Sequence, residues 1–223
     1  VRRRADGESI SNIIGKREFY GREFIVNCHV LDPRPDTELI IDIIREIYIK
    51  EESFSILDLG TGSGCILTSI LLEFPNSVGI GTDISENALN TAKINSEKYL
   101  LNDRAAFILS DWVDAIDVNK FDIIVSNPPY IPSADLEFLQ PEVLRNDPLI
   151  ALDGGINGLI HYKKIISRIE NMTNSSGKYL IMEIYTDLAE ELVQLLIDKG
   201  FKIENIEIRY DLSKRKRAIY LKF

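Results

Sequence analysis

The sequence predicts an α/β fold: a doubly wound, mostly parallel, seven-stranded sheet with helices on both faces. Three observations support this. From residue 53 onward, short apolar runs of strand length alternate with stretches of helical period. The first of these strands runs directly into a glycine-rich turn, Gly60-Thr61-Gly62-Ser63-Gly64. Open α/β sheets hold their ligands at such strand ends. Two strand-like segments then close the chain with no helix between them, which predicts an antiparallel C-terminal hairpin.

Residues 1–17 are polar and basic with little period. From Glu18 to Val30, Phe19, Tyr20, Phe24, Val26 and Val30 flank Gly21-Arg22, the pattern of a β-hairpin. Pro33 and Pro35 then interrupt the chain. Asp36-Thr37-Glu38 opens a helix in which Leu39, Ile40, Ile43, Ile44 and Ile47 recur at helical spacing. Strands are expected at Ser53–Leu59, Val78–Ile84, Ala105–Leu109, Phe121–Val125 and Lys178–Ile184. Helices are expected at Cys65–Glu73, from a Ser85 cap to about Tyr99, from Gly158 to about Asn171, and from Asp187 to Lys199, where Gly200 stops the last. Phe201–Tyr210 and Arg217–Phe223 form the closing pair. The expected organisation is a linker with a hairpin over residues 1–35 and one α/β domain over 36–223.

Composition narrows the function. The chain has 223 residues, 45% of them apolar, which is enough for a substantial core. Its net charge of −9 opposes tight non-specific binding to nucleic acid, which rests on phosphate neutralisation. The one basic run, Lys214-Arg215-Lys216-Arg217, reads as a solvated loop. No apolar stretch has the length of a membrane span, and no signal-peptide pattern opens the chain. Cys28, in an expected strand, and Cys65, at a helix start, belong to no CxxC or Cys/His cluster. Each is expected to be a buried reduced thiol in a cytoplasmic protein. His29 and His161 lack metal-ligand spacing, so no metal site is expected. The chain opens on Val1-Arg2-Arg3-Arg4 without Met and is expected to be part of a longer protein.

Asn127-Pro128-Pro129-Tyr130, at the end of the fourth expected strand, carries the most chemistry. An amide or aromatic amine nitrogen is a poor nucleophile because its lone pair is delocalised. Accepting hydrogen bonds from both of its N–H groups favours a tetrahedral nitrogen. The Asn127 side-chain oxygen and the Pro128 carbonyl are suitable acceptors. Two prolines stiffen the loop and contribute no donor of their own. Tyr130 offers a flat face for a planar group. The motif therefore suits methylation of an amide or exocyclic amine nitrogen.

The preceding strand ends can supply a methyl donor. The glycine spacing is Gly-x-Gly-x-Gly, with Cys65 where a dinucleotide fingerprint needs its third glycine and no Lys-Ser/Thr for a Walker A loop. Such a loop suits a nucleoside with an amino-acid tail, such as S-adenosylmethionine. Asp83, at the end of the second strand, can accept from both ribose hydroxyls. Asp111 can accept from the adenine amine and Trp112 can stack on the ring. Arg34, between two prolines, is either a cation ordering this site or a surface charge.

On these residues the chain resembles the glutamine N5-methyltransferases of peptide-chain release factors. The resemblance spans nearly the whole sequence. It includes Glu18-Phe19-Tyr20-Gly21, Pro33-Arg34-Pro35-Asp36-Thr37-Glu38, Ile56 to Gly64, Asn127 to Ile131, and Ala151-Leu152-Asp153-Gly154-Gly155. It implies a class I S-adenosylmethionine-dependent methyltransferase domain, with S-adenosylhomocysteine as product and the glutamine of a release factor Gly-Gly-Gln loop as acceptor. It further implies that Gly60, Thr61, Gly62, Ser63, Gly64, Asp83, Trp112 and Asn127 contact the donor, and that Asn127, Pro128, Pro129 and Tyr130 hold the glutamine. Members usually carry an N-terminal helical domain, of which only the linking hairpin is visible here. The main competing expectation is a nucleic-acid adenine-N6 methyltransferase acting on a flipped base. A non-catalytic donor-binding module and an NAD-dependent oxidoreductase fit less well.

Overall fold

A computed structural model describes residues 2–5, 7–170 and 177–223. Its centre is one seven-stranded sheet built from β3 (Ser55–Leu59), β4 (Val78–Asp83), β5 (Ala105–Leu109), β6 (Ile123–Ser126), β7 (Tyr179–Glu183), β8 (Ile206–Tyr210) and β9 (Lys216–Lys222). The strand order is β5-β4-β3-β6-β7-β9-β8. The first five are parallel, and β9 enters antiparallel between β7 and β8. The expected class I methyltransferase, Rossmann-like architecture is therefore present. The strand order reverses at β3, next to the glycine-rich turn, and this is where such sheets open a crevice.

Side-chain alternation divides the central strands between two cores. Ile56 of β3, Ile123 and Val125 of β6 and Ile181 of β7 face α3 (Leu39–Ile47) and α4 (Cys65–Glu73). Leu57 and Leu59, Ile124, and Leu180 and Met182 face α7 (Ile160–Ile169) and α8 (Ala189–Asp198) on the other side. Both faces of the strands are covered, so the strands read as continuous apolar runs. α5 (Glu86–Lys98) starts at Ser85, whose hydroxyl accepts from the Ala88 N–H at 3.2 Å. Among the described residues no helix is long and apolar enough to cross a membrane.

Several expectations change. The N-terminal hairpin pairs β1 (Lys16–Phe19) with β2 (Arg22–Ile25) and ends before Val26. Val26 and Val30 instead pack on Ala88. Between them the Asn27 side chain accepts the His29 N–H at 2.9 Å and turns the chain. Cys28 therefore lies in an exposed turn and not in a strand, while Cys65 is buried.

Residues 1–17 contain α1 (Arg2–Ala5) and α2 (Ile10–Ile14), the latter between a Ser9 cap and Gly15 at φ 75°. Only Ser11 of α2 is buried, so no apolar period marked it. The basic run is also not all loop. Lys216 and Arg217 begin β9, and Arg217 is buried against Asp36 at 3.1 Å and Asp211 at 3.2 Å. A further helix, α6 (Pro141–Asn146), lies in a stretch with no predicted element. No residue from Ser133 to Arg145 is buried, which removes the apolar signal there. The expected helix end at Asn171 lies outside the described residues.

Candidate active site

A cleft opens over the carboxyl ends of β3, β4 and β6. It holds about 1080 Å³ of space free of protein atoms, its open mouth included. Gly60, Thr61, Gly62 and Ser63 form its floor; Asp83, Asp111 and Trp112 stand on one side and Asn127 with Pro129 on the other.

The floor is a backbone structure. Gly60, Gly62 and Gly64 have φ of 69°, 55° and 73°, a region costly for other residues. A Cβ on Gly64 would stand 2.9 Å from that of Ala92, so this position also lets α5 pack against the turn. The Thr61 N–H donates to the Thr82 carbonyl at 2.8 Å, and its hydroxyl donates to Asp58 at 2.7 Å. Burial pushes the Asp58 carboxyl up to about 7. From α5, Asn95 donates to the Ser63 and Ile25 carbonyls, both at 2.9 Å, and accepts the Ile25 N–H at 2.7 Å. One side chain thus fastens the N-terminal hairpin to the turn.

Asp83 accepts the N–H groups of Gly62 at 3.0 Å and Ser85 at 2.9 Å, so it both shapes the loop and starts α5. Burial raises its carboxyl above the ordinary range, against these two bonds. Trp112 holds φ 57°, and its ring lies over Gly60, where a Cβ would come within 3.3 Å. His161 packs on it with ring centroids 5.3 Å apart. Asp111 lines the cleft but is engaged by Lys164 at 2.9 Å.

The acceptor side is a side-chain structure. The Asn127 NH2 donates to the Thr37 hydroxyl at 3.1 Å, and that hydroxyl donates to Glu183 at 2.5 Å. The Tyr130 hydroxyl approaches the other Glu183 oxygen at 3.4 Å. Glu183 is buried at the end of β7, and burial pushes its carboxyl up to about 7, opposed by Thr37 and Arg217. Burial also raises the Tyr130 phenol. Pro128 is buried, and the Tyr130 ring stacks on Tyr185 at 5.9 Å; neither lines the cleft.

The loop is clamped from outside by residues 152–158. Ile131 donates to Leu152 at 3.0 Å, and Gly154 donates to Ile131 at 2.7 Å. Cβ atoms on Gly154 and Gly158 would collide with the Tyr130 backbone at 2.7 and 2.4 Å. Arg34 pairs with the buried Asp147 at 2.7 Å, joining the two chain segments at the cleft edge.

The structure therefore brings Gly60 to Ser63, Asp83, Asp111, Trp112, Asn127 and Pro129 to one cleft, with Gly64 just behind it. Thr37 and Glu183 were not singled out from the sequence. An acidic residue ending the fully buried run Leu180-Ile181-Met182 was the available signal for Glu183.

Comparison with known proteins identifies the family. A family described as a methyltransferase domain matches residues 50–214. The chain is 38% identical over 219 residues to the release factor glutamine methyltransferase of Caulobacter vibrioides, covering 98% of this chain and 75% of that protein. It is 39% identical over 245 residues to the bifunctional methyltransferase of Rickettsia bellii, covering 98% of this chain and 44% of that protein. The chain thus spans under half the length of the bifunctional relatives it matches. The hMettl16 catalytic domain, solved in complex with MAT2A 3'UTR hairpin 6, shares the fold with a TM-score of 0.72 at 17% identity, over 93% of this chain and 77% of that one. With a methyltransferase domain matched over residues 50–214 and a release factor glutamine methyltransferase aligned to nearly all of this chain and three quarters of its own length, the chain belongs to the release factor glutamine methyltransferase family.

Proposed function

We propose that this chain transfers a methyl group from S-adenosylmethionine to the side-chain amide nitrogen of the glutamine in the Gly-Gly-Gln loop of peptide-chain release factors. The observation that carries this reading is the orientation of Asn127. Its NH2 is committed to Thr37, which leaves the carboxamide oxygen, in the cleft wall, to accept from an incoming NH2 group. A site that reads an NH2 group in this way suits a neutral amide.

The residues present fit the donor. Three left-handed glycine positions allow close backbone approach, Asp83 keeps lone pairs beyond its two backbone bonds for ribose hydroxyls, and Trp112 presents a ring above Gly60. The ion pair with Lys164 makes Asp111 a weaker candidate for the adenine amine than Trp112 is for the ring. When bound, S-adenosylmethionine supplies an electrophilic methyl group. The protein's own task is then positioning. The Asn127 oxygen, in the cleft wall, holds the amide, and the double proline with its glycine clamp keeps that acceptor still. The new N–C bond would replace the sulfonium S–C bond, with S-adenosylhomocysteine leaving, and the proton lost by the nitrogen goes to water at the open mouth, so no strong general base is required. In this reading residues 36–223 are the methyltransferase domain, residues 1–35 its linker and hairpin, and the protein is cytoplasmic.

The test is transfer from labelled S-adenosylmethionine, offered in parallel to an unmodified release factor, its Gln-to-Ala loop variant and duplex DNA. Label on the intact factor alone is expected. Label on DNA would replace the acceptor with an adenine amine and leave the donor site in place. No label on any of the three would overturn the reading.

A further inference from the structure

We propose that Thr37 and Glu183 form an orientation lock on Asn127, making them positioning residues that select an NH2-bearing acceptor over a carboxylate. The inference deepens the proposed function and rests on it for the identity of the acceptor. A carboxamide presents nearly the same shape whichever way it is turned, yet its two ends have opposite hydrogen-bonding character. Asn127 with its oxygen to the cleft binds an amide NH2; turned over, it would present its own NH2 and bind a carboxylate. Something must fix the choice.

The structure contains that device. A hydroxyl has one proton. Glu183, when ionised, can only accept, so the Thr37 proton is committed to it at 2.5 Å. The Thr37 oxygen then has only lone pairs to offer Asn127, and only the NH2 end can answer, at 3.1 Å. The order of donors and acceptors is thus set from the buried end outward. The three residues come from three separate elements. Thr37 lies in the turn before α3, Asn127 follows β6, and Glu183 ends β7.

Every neighbour of the Glu183 carboxylate bears on its charge. Arg217 of β9 favours the ionised form. Asp36, beside Thr37, opposes it. Tyr130 approaches the second oxygen at 3.4 Å, and Tyr162 of α7 donates to the Glu183 backbone carbonyl at 2.9 Å. Burial brings the carboxyl into the neutral range, so the lock tightens as pH rises through about 7. A protonated Glu183 can donate to Thr37, whose own proton is then free to turn toward Asn127 and admit the reversed carboxamide.

The experiment has two independent readouts. The first is the side-chain NH2 signal of Asn127 in a 15N NMR spectrum, identified by its absence in Asn127→Ala, followed from about pH 5.5 to about 8.5. It is expected to shift sigmoidally in the wild type and to stay fixed in Glu183→Gln. The second is turnover with the release factor at saturating donor. Thr37→Val is expected to lose about 10–100-fold, the cost of unpairing buried polar groups, with donor Kd within about threefold, and Thr37→Ser to recover most of the loss. The same titration in Glu183→Gln as in the wild type, or wild-type turnover in Thr37→Val, would overturn the lock. If the signal titrates as expected but no release factor is labelled, the lock stands and the proposed function falls.

Discussion

The two sides of the cleft are built in opposite ways. The donor side is made of backbone close in sequence: three alternating glycines, with Asp83 about twenty residues on accepting the Gly62 N–H. The acceptor side is made of side chains from distant parts of the chain, with Thr37 bonded to Asn127 across 90 positions and to Glu183 across 146. A site made of local backbone tolerates changes among its neighbours as long as its glycines remain. A site made of a side-chain relay depends on every member. Substitutions on the donor side should therefore weaken binding, and those on the acceptor side should lower the rate.

The largest effect is expected at Asn127. Asn127→Ala removes an acceptor that acts on the reacting group and should cost about 100–1000-fold in turnover, with donor affinity changed far less. Steady-state rates and calorimetric titration of the donor separate the two; near-normal turnover would remove Asn127 from the reaction. Next comes Asp83→Ala, which loses charged hydrogen bonds and should weaken donor binding by about 10–100-fold while turnover at saturation changes little. A large fall in saturated turnover would blur the division between the two sides.

Gly64→Ala comes third, acting on stability. It forces a Cβ into the left-handed region and against Ala92, at a cost of about 2 kcal/mol read from the urea midpoint. Stability also depends on pH. Asp58 and Glu183 hold their protons up to about 7 in the folded chain, whereas their ordinary values are 3.8 and 4.5. Between those values and about 7 the folded state binds more protons than the unfolded one, so stability falls as pH rises through that window. Asp58→Asn should flatten this decline, which urea midpoints across the window would show.

The same division explains what was legible in the sequence. The sheet was readable because buried parallel strands are continuous apolar runs and their helices carry an apolar stripe. Cys65–Glu73 and Ala105–Leu109 fall at the predicted positions. The glycine turn, Asp83 and Asn127 were readable because each sits at the end of a strand. Thr37 is legible only as part of a helix start and of a motif that carries the resemblance, and nothing local ties it to Asn127 or Glu183. The pairing of β6 with β7 sets Asn127 near Glu183, and the packing of α3 on β7 brings Thr37 to both. The ion pair of Arg34 with Asp147 is likewise a product of tertiary structure. α6 has no signature in the sequence because it buries only Asn146, whose amide bonds back to the N-terminal segment, and a helix held by polar contacts shows no period.

The central claim is that the acceptor side reads an NH2 group. The most direct measurement offers the enzyme two release factors that differ in one atom pair, the native Gly-Gly-Gln loop and a Gly-Gly-Glu variant, and compares single-turnover methyl transfer to each. A site built to hydrogen-bond an NH2 group should reject the analogue lacking it by about 10⁴-fold, so label is expected on the glutamine protein alone. Comparable label on both proteins, with the methyl group found as an ester on the glutamate, would contradict the claim.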